Sequence, residues 1–560
     1  MKHRGILLQA ALSLALALLA GCSAAGTASS VSTQTFTDAE QTSASSAPAL
    51  DPASLFSDRD LDGSYDPAEA VAITLTGDSA ACDSSAVTID GSRITLTEEG
   101  VYLVSGTLAD GQLIVDAGDE DKVQIVLDGA SITSSTSAAL YVRNADKVFV
   151  TLAEGSSNTL ANGGEYVDID ENSIDGAVFS KSDLTLNGSG SLTVSAAAGH
   201  GVVCKDTLVI TGGSYTVTAE KQGLSGKEGV AVAAGTFDIT SGTDGIHAEN
   251  TDDASLAFVY IADGSFSVAA QGDAVSAGGA LQIDGGTFEL TTGEGSASVE
   301  LATSNSAGGQ RGGFDPAAQS ATAADAADET SQKGIKGEGS FAINGGVFVV
   351  DTVDDCLHGG SDMTITAGTF TLSSGDDAVH ADGALTISGG SFTIPYCYEG
   401  LEGLSVTVTD GEFDITSSDD GINAAGGADS SGFGGGRAEQ FASGSDSFIL
   451  IDGGSFTVVS GGDCVDSNGD LTIAGGTLDL VCNGTGNTAL DTDGTYTHSG
   501  GTVTTNDGSE ENPGAMGGGG GRGGMTGGTL PDGSAPDGTA PEGGIAGKGG
   551  QRPGQNAAAG

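Results

Sequence analysis

Carboxylates recur at one fixed place in this chain. An aromatic follows a glycine-containing turn at Tyr215, Phe237, Phe266, Phe288, Phe348, Phe370, Phe392, Phe413 and Phe456. Seven residues beyond these stand Gln222, Asp244, Asp273, Gly295, Asp355, Asp377, Glu399, Asp420 and Asp463. Asp354, Asp376 and Asp419 add a second carboxylate just before this column, and Glu402 and Asp466 add one three residues after it. On successive coils about 4.8 Å apart, two bare carboxylates repel by about 1 kcal/mol in water and by about 3–4 kcal/mol at an effective dielectric of 20. Either the groups spread into solvent or a cation sits between coils, and all-oxygen ligands on a semi-rigid scaffold favour Ca²⁺. The place three beyond the column also carries His247, His358 and His380. One imidazole per coil beside hard oxygen ligands points to hydrogen bonds with neighbours or a ligand, in preference to a transition-metal site.

The elements that position this column follow from the aromatic spacing. Phe348, Phe370 and Phe392 lie 22 residues apart, and longer intervals elsewhere read as the same unit with insertions. The stretch from Ser374 to Ile394 holds three short alternating strands separated by Gly, Asp and Ser turns. A fixed period of this length signals a solenoid whose core forms only by stacking. The fold class expected is all-β, a parallel β-helix with coils of about 22 residues, and its aromatic column faces the core. Ile94–Leu96, Leu113–Val115 and Val123–Leu127 alternate more loosely and form the first coils and cap. Three insertions are expected in one and the same turn of the coil, beside the acidic column; two are rich in Gly, Ala and Ser, at about 302–332 and 424–445.

The chain has 560 residues with 76 acidic and 18 basic side chains, a formal charge of −58. Such a surface excludes nucleic acid and anionic membranes as electrostatic partners and makes metal cations the natural counter-charge. Residues 1–22 combine a basic start, an apolar run from Ile6 to Ala20 and the sequence Leu19-Ala20-Gly21-Cys22. They read as a signal peptide of lipoprotein type with Cys22 lipidated. The expected location is the outer face of a bacterial cell membrane, reached by the lipid anchor alone. Residues 23–55, mostly Ser, Thr and Ala, read as a flexible tether, and the Gly- and Pro-rich tail 507–560 as disordered. The other six cysteines, Cys82, Cys204, Cys356, Cys397, Cys464 and Cys482, are expected to be free thiols. Asp58, Asp60, Asp62 and Glu69 satisfy the spacing of a calcium loop, although Pro67 and the lack of an incoming helix favour an acidic capping loop.

The opening Phe56 to Asp62, the segment Thr107 to Asp116, the Asp-Gly-Ile-His of Asp244 to His247 and the Gly-Gly-Ser/Thr-Phe turns resemble a family of bacterial exported carbohydrate-binding domains. Its fold is a polysaccharide-lyase-like, right-handed parallel β-helix. The resemblance spans about residues 56–506 and implies a module, expected to be a monomer, binding plant cell-wall polysaccharide, such as cellulose or acidic pectin, with Ca²⁺ held by coil carboxylates. Carried over residue by residue, it marks Asp244, Asp273, Asp355, Asp377, Asp420 and Asp463 as ligands, with Glu399 in place of the usual Asp. Polygalacturonate suits this chain because its own carboxylates complete the shell of a protein-held Ca²⁺. Tyr396 and Tyr398, flanking Cys397, are the expected exposed aromatic pair, with His358, His380 and Glu402 as further ligand-binding residues.

A Ca²⁺-dependent lyase on the same fold is the rival reading. It needs a base beside the bound ion, and with arginine nearly absent from the repeats the bases would be Lys333 and Lys336. A hydrolase using Asp354-Asp355 or Asp376-Asp377, and a purely structural surface β-helix, complete the alternatives.

Overall fold

The computed structural model describes residues 50–167, 170–253, 255–301, 331–425 and 447–513. Cys22, most of the two Gly/Ala-rich insertions and the tail beyond 513 lie outside the described residues. The described chain is all-β. Its 44 strands form one continuous hydrogen-bonded sheet, and every pairing in it is parallel except two near the start, Val71–Gly77 with Ala80–Ala81 and Val87–Asp90 with Arg93–Leu96. Each strand pairs with its equivalent one coil on, which makes the architecture a β-solenoid. No helix among the described residues is long and apolar enough to cross a membrane.

One coil shows how the sequence winds. Phe341–Ile343 leads through a glycine turn into Val347–Thr352, then into the short strand Leu357–Gly359, and Met363–Ile365 begins the next coil. Alternation in the longest of these strands buries the aromatic and the residue two further on and exposes those between. Phe348, Phe370 and Phe392 pair in direct register, so their rings stack face to face at 4.8 and 4.5 Å. Strand spacing imposes this geometry over the offset arrangement that isolated rings prefer. The stack runs from Tyr215 to Phe456 and continues as Leu478 and Val503. Phe237, Phe288, Phe348, Phe370, Phe392 and Phe456 are at most 1% exposed, the core role the spacing predicted. The glycine before each aromatic is required by this stack. Gly368 has φ +140°, and a Cβ there would lie 2.7 Å from the Phe370 ring.

The acidic segment at 58–69, read from its sequence as a capping loop, forms a strap over the coils. Ser57 caps a single helical turn, Asp58–Leu61, and Asp60 is 1% exposed. Its carboxylate takes Lys147 Nζ at 2.8 Å and the hydroxyls of Ser57 and Thr185. Its carbonyl accepts from Thr211 and Asn187, and Arg59 lies over Phe149 at 4.5 Å. Three successive coils are thereby tied together from outside. Asp58, Asp62 and Glu69 are exposed and do not converge with Asp60 on a common point.

The insertions do not share one turn. Residues 249–257 and 425–447 follow the short strands Ile246–Ala248 and Ile422–Ala424. The third leaves after Thr287–Thr292 and returns before the short strand Ile335–Gly337, on the other side of the acidic column. Counting seven from Phe288 to Gly295 therefore missed the true occupant of that rung, because the chain departs before reaching it. The six cysteines Cys82, Cys204, Cys356, Cys397, Cys464 and Cys482 are free thiols.

Candidate functional site

The column is defined by its backbone hydrogen bonds. The amide following each column residue donates to the carbonyl of the next, which links Gln222, Asp244, Asp273, Lys333, Asp355, Asp377, Glu399, Asp420 and Asp463 in that order. Lys333 thus stands where the aromatic count placed Gly295. The carboxylates also climb the ladder themselves. Asp244 Oδ1 accepts the amide of Asp273 at 3.0 Å, Asp273 Oδ1 that of Lys333 at 2.8 Å, Asp355 Oδ1 that of Asp377 at 3.1 Å, and Asp377 Oδ1 that of Glu399 at 3.1 Å. Asp420 Oδ1 accepts that of Asp463 at 2.6 Å, and Asp463 Oδ1 that of Thr488. One oxygen of each of these six carboxylates is therefore satisfied by the scaffold, and the second is left to find a counter-charge.

In the middle coils the protein supplies that charge itself. Lys333 is buried, with Nζ 2.9 Å from both Asp354 Oδ1 and Asp355 Oδ2. Burial works against its charge, but Asp355 and Asp354 more than reverse this and hold the ammonium above the ordinary lysine range. Asp355, although fully buried, is held below the usual carboxylate range because Lys333 and His358 outweigh its desolvation. His358 Nδ1 lies 2.9 Å from Asp355 Oδ2 and His247 Nδ1 2.7 Å from Asp244 Oδ2. His380 Nδ1 lies 2.7 Å from Glu402 Oε2, and its Nε2 3.2 Å from Asp382 Oδ1. Despite burial, Glu402, Asp377 and Asp382 push this imidazole well above its usual value. His358 and His380 thus hydrogen-bond to neighbouring carboxylates, whereas His247 Nδ1 makes an ion-pair approach to Asp244 without a hydrogen bond.

Toward the C-terminal coils no internal cation stands among the described residues. The residue three beyond the column runs in strand register through Lys336, His358, His380, Glu402, Asn423, Asp466 and Asp491, passing from basic to acidic. Asp463, Asp466 and Asp491 bring carboxylate oxygens within 4.8 Å of one another. Burial, then Asp491 and Asp419, raise Asp463 to about 6. Burial, with Asp463 and Asp491 beside it, raises Asp466 to about 7. Asp420 is pushed well above the carboxylate range by burial and by Asp466, Asp419 and Asp463. Neighbouring Asn423 is 6% exposed, and its Oδ1 has no hydrogen-bond partner. A group of oxygen donors that repel one another suits a hard cation. Asp491 escaped the sequence reading because the coil from Leu478 to Val503 is 25 residues long, three over the repeat, and Thr488, not Thr485, continues the column.

The remaining expected residues fall differently. Tyr398 is buried and donates its hydroxyl to Asp419, so it is no part of an exposed platform. Tyr396 is half-buried, with its hydroxyl on the Val299 carbonyl at 2.8 Å. Register slips between Thr371 and Ser373 opposite the Pro395 segment displace Tyr396, whereas Tyr398 stands in the place just before the column, one coil on from Asp376. Lys336 pairs with Glu338 at 2.9 Å and is held above the lysine range, because Glu338 and Asp273 outweigh its burial. Both lysines considered as lyase bases are therefore held as ammonium ions, the opposite of what a base requires.

Comparison with known proteins bears on this geometry. A model of the family described as "Carbohydrate-binding domain-containing protein" matches residues 90–378, 357–400 and 377–538. A relative of that description from Acetivibrio thermocellus is 34% identical over 203 residues, which span 36% of this chain and 71% of the relative. A solved structure described as the polysaccharide lyase-like protein from C. thermocellum, gadolinium derivative, is 34% identical, covers 40% of this chain and 92% of its own, and superposes with a TM-score of 0.39. With family matches running almost unbroken along the solenoid, this chain belongs to the carbohydrate-binding domain-containing protein family.

Proposed function

We propose that this chain is a cell-surface module that binds acidic plant cell-wall polysaccharide, polygalacturonate above all and cellulose second, through Ca²⁺ held by carboxylates of a right-handed β-helix. The observation that carries this reading is the C-terminal acidic cluster of a carbohydrate-binding family member. Among the described residues, Asp419, Asp420, Asp463, Asp466 and Asp491 gather without an internal cation, whereas Asp354 and Asp355 have Lys333. Ca²⁺ fits the cluster because its donors are all oxygens: the carboxylates and the unpartnered Asn423 Oδ1. When bound, the ion supplies positive charge that a uronate carboxylate completes from outside, so that two polyanions meet through the metal. The protein's part is to hold the oxygens in place through the amide ladder. The matched family description supports the glycan; the acidity of the cluster supports the uronate. Residues 1–22 act as the export signal, Cys22 as the lipid anchor on a bacterial membrane, and residues 23–55 as the tether to the solenoid at 56–506.

The reading is tested by retention on immobilised polygalacturonate in Ca²⁺ and in chelator, for the full chain and for Asp463→Asn combined with Asp466→Asn. Retention in Ca²⁺ that the double variant loses supports it. Equal retention in chelator sets it aside.

A further inference from the structure

One cluster in the column is chemically unlike the rest. Asp377, His380 and Glu402 each offer a ligand atom within 4.8 Å of the other two, with His380 Nδ1 at 2.7 Å from Glu402 Oε2 and 3.4 Å from Asp377 Oδ2. Around an ion with bonds of about 2.0–2.2 Å, adjacent donors stand about 2.8–3.5 Å apart. The two distances to Nδ1 fall close to that range before any ion is added. On the far side of the ring, Nε2 faces Asp382 Oδ1 at 3.2 Å. A carboxylate there fixes the tautomer that presents Nδ1 as a ligand, the arrangement that surrounds metal-bound imidazoles generally. The ring is also clamped, stacked on His358 at 5.1 Å and 6°. His380 is 1% exposed and Asp377 5%, while the Glu402 side chain at 19% opens the cluster to solvent.

Neighbouring coils lack one part each. His247 has Asp244, but the next coil offers Ser276 where His380 meets Glu402. His358 shares Asp355 with Lys333. We infer that Asp377, His380 and Glu402 bind one first-row divalent transition ion, with Asp382 as a positioning residue. This site is distinct from the all-oxygen cluster at Asp463. An imidazole donor makes it prefer Zn²⁺ or Co²⁺ to Ca²⁺. Binding releases to solvent whichever proton sits on Nδ1, so affinity weakens toward low pH. The inference stands apart from the glycan reading, and either can fail while the other holds.

The test uses the full chain, stripped with chelator, then incubated with Co²⁺ in excess Ca²⁺ and dialysed. We expect one retained Co²⁺ per chain, a visible d–d band free of thiolate charge transfer, and displacement by Zn²⁺. His380→Gln and, at the more open position, Glu402→Gln should each abolish retention. Asp382→Asn should weaken it about 10–100-fold, and Asp479→Asn, on the exposed face of the strand Thr477–Cys482, should not change it. Circular dichroism matching the parent confirms folding. No retained Co²⁺, a thiolate band, or retention unchanged in both His380→Gln and Glu402→Gln overturns the inference.

Discussion

Replacing Lys333 by methionine tests whether the column is neutralised from within. The side chain is 4% exposed and bonds both Asp354 and Asp355 at 2.9 Å. Methionine keeps most of the buried volume and deletes the charge. Breaking a buried pair by removing one partner costs about 3–5 kcal/mol. Asp355 retains His358 at 2.9 Å, so the carboxylate left most exposed to the loss is Asp354, and the lower end of that range applies. An unfolding entropy of about 2 cal/mol/K per residue gives a solenoid of this length about 1 kcal/mol/K, so the melting temperature should drop by about 3 °C in chelator. Adding Asp354→Asn should recover part of the drop. The variant should also gain more from Ca²⁺ than the parent does, because an external ion then has an unoccupied rung to fill. Scanning calorimetry in chelator and in Ca²⁺ measures all three. A variant that melts within 1 °C of the parent in chelator, or a double variant less stable than either single one, would refute the internal-cation argument.

Three further outcomes follow from the same geometry. Ca²⁺ should raise the melting temperature of the parent, and Asp463→Asn with Asp466→Asn should remove most of that rise; an undiminished response would move the ion to another part of the column. In chelator, stability should fall between about pH 4 and pH 8. Asp463 and Asp466 are raised to about 6 and about 7, so the folded chain holds more protons than the unfolded one there, and His380, also raised, acts in the same direction. Ca²⁺ should flatten this slope in calorimetric scans across the range, and a stability that climbs with pH in chelator would contradict the sign. Phe370→Ala, in the middle of the ring stack, should cost about 3–5 kcal/mol by denaturant titration; a loss below about 1 kcal/mol would mean that the stack contributes little.

The solenoid was legible because its two signals are periodic and local. An inward ring two residues after a glycine of positive φ repeats from Tyr215 to Phe456, and each repeat needs only its neighbours to make sense. The acidic column was legible wherever the aromatic and the column belong to one uninterrupted stretch, as at Asp355, Asp377 and Asp463. It failed where extra residues intervene between the two: Gly295 stood in for Lys333, and Asp491 was missed behind an overlong coil. Partners set by long-range contact were hidden as well. Nothing in the spacing of Asp58, Asp60 and Asp62 announces that Lys147 and Thr185 claim the Asp60 carboxylate. Nor does the alternation of Tyr396 and Tyr398 reveal that their hydroxyls are taken by Val299 and Asp419. Sequence shows where carboxylates accumulate, whereas only the fold shows which of them already own a cation.

The most direct measurement incubates the chain with polygalacturonate in Ca²⁺ and in chelator, following retention and the absorbance of unsaturated products in the same tubes. The account predicts Ca²⁺-dependent retention with no new absorbance. Rising absorbance would identify a lyase despite the ion-paired lysines, and retention indifferent to chelator would contradict binding through calcium.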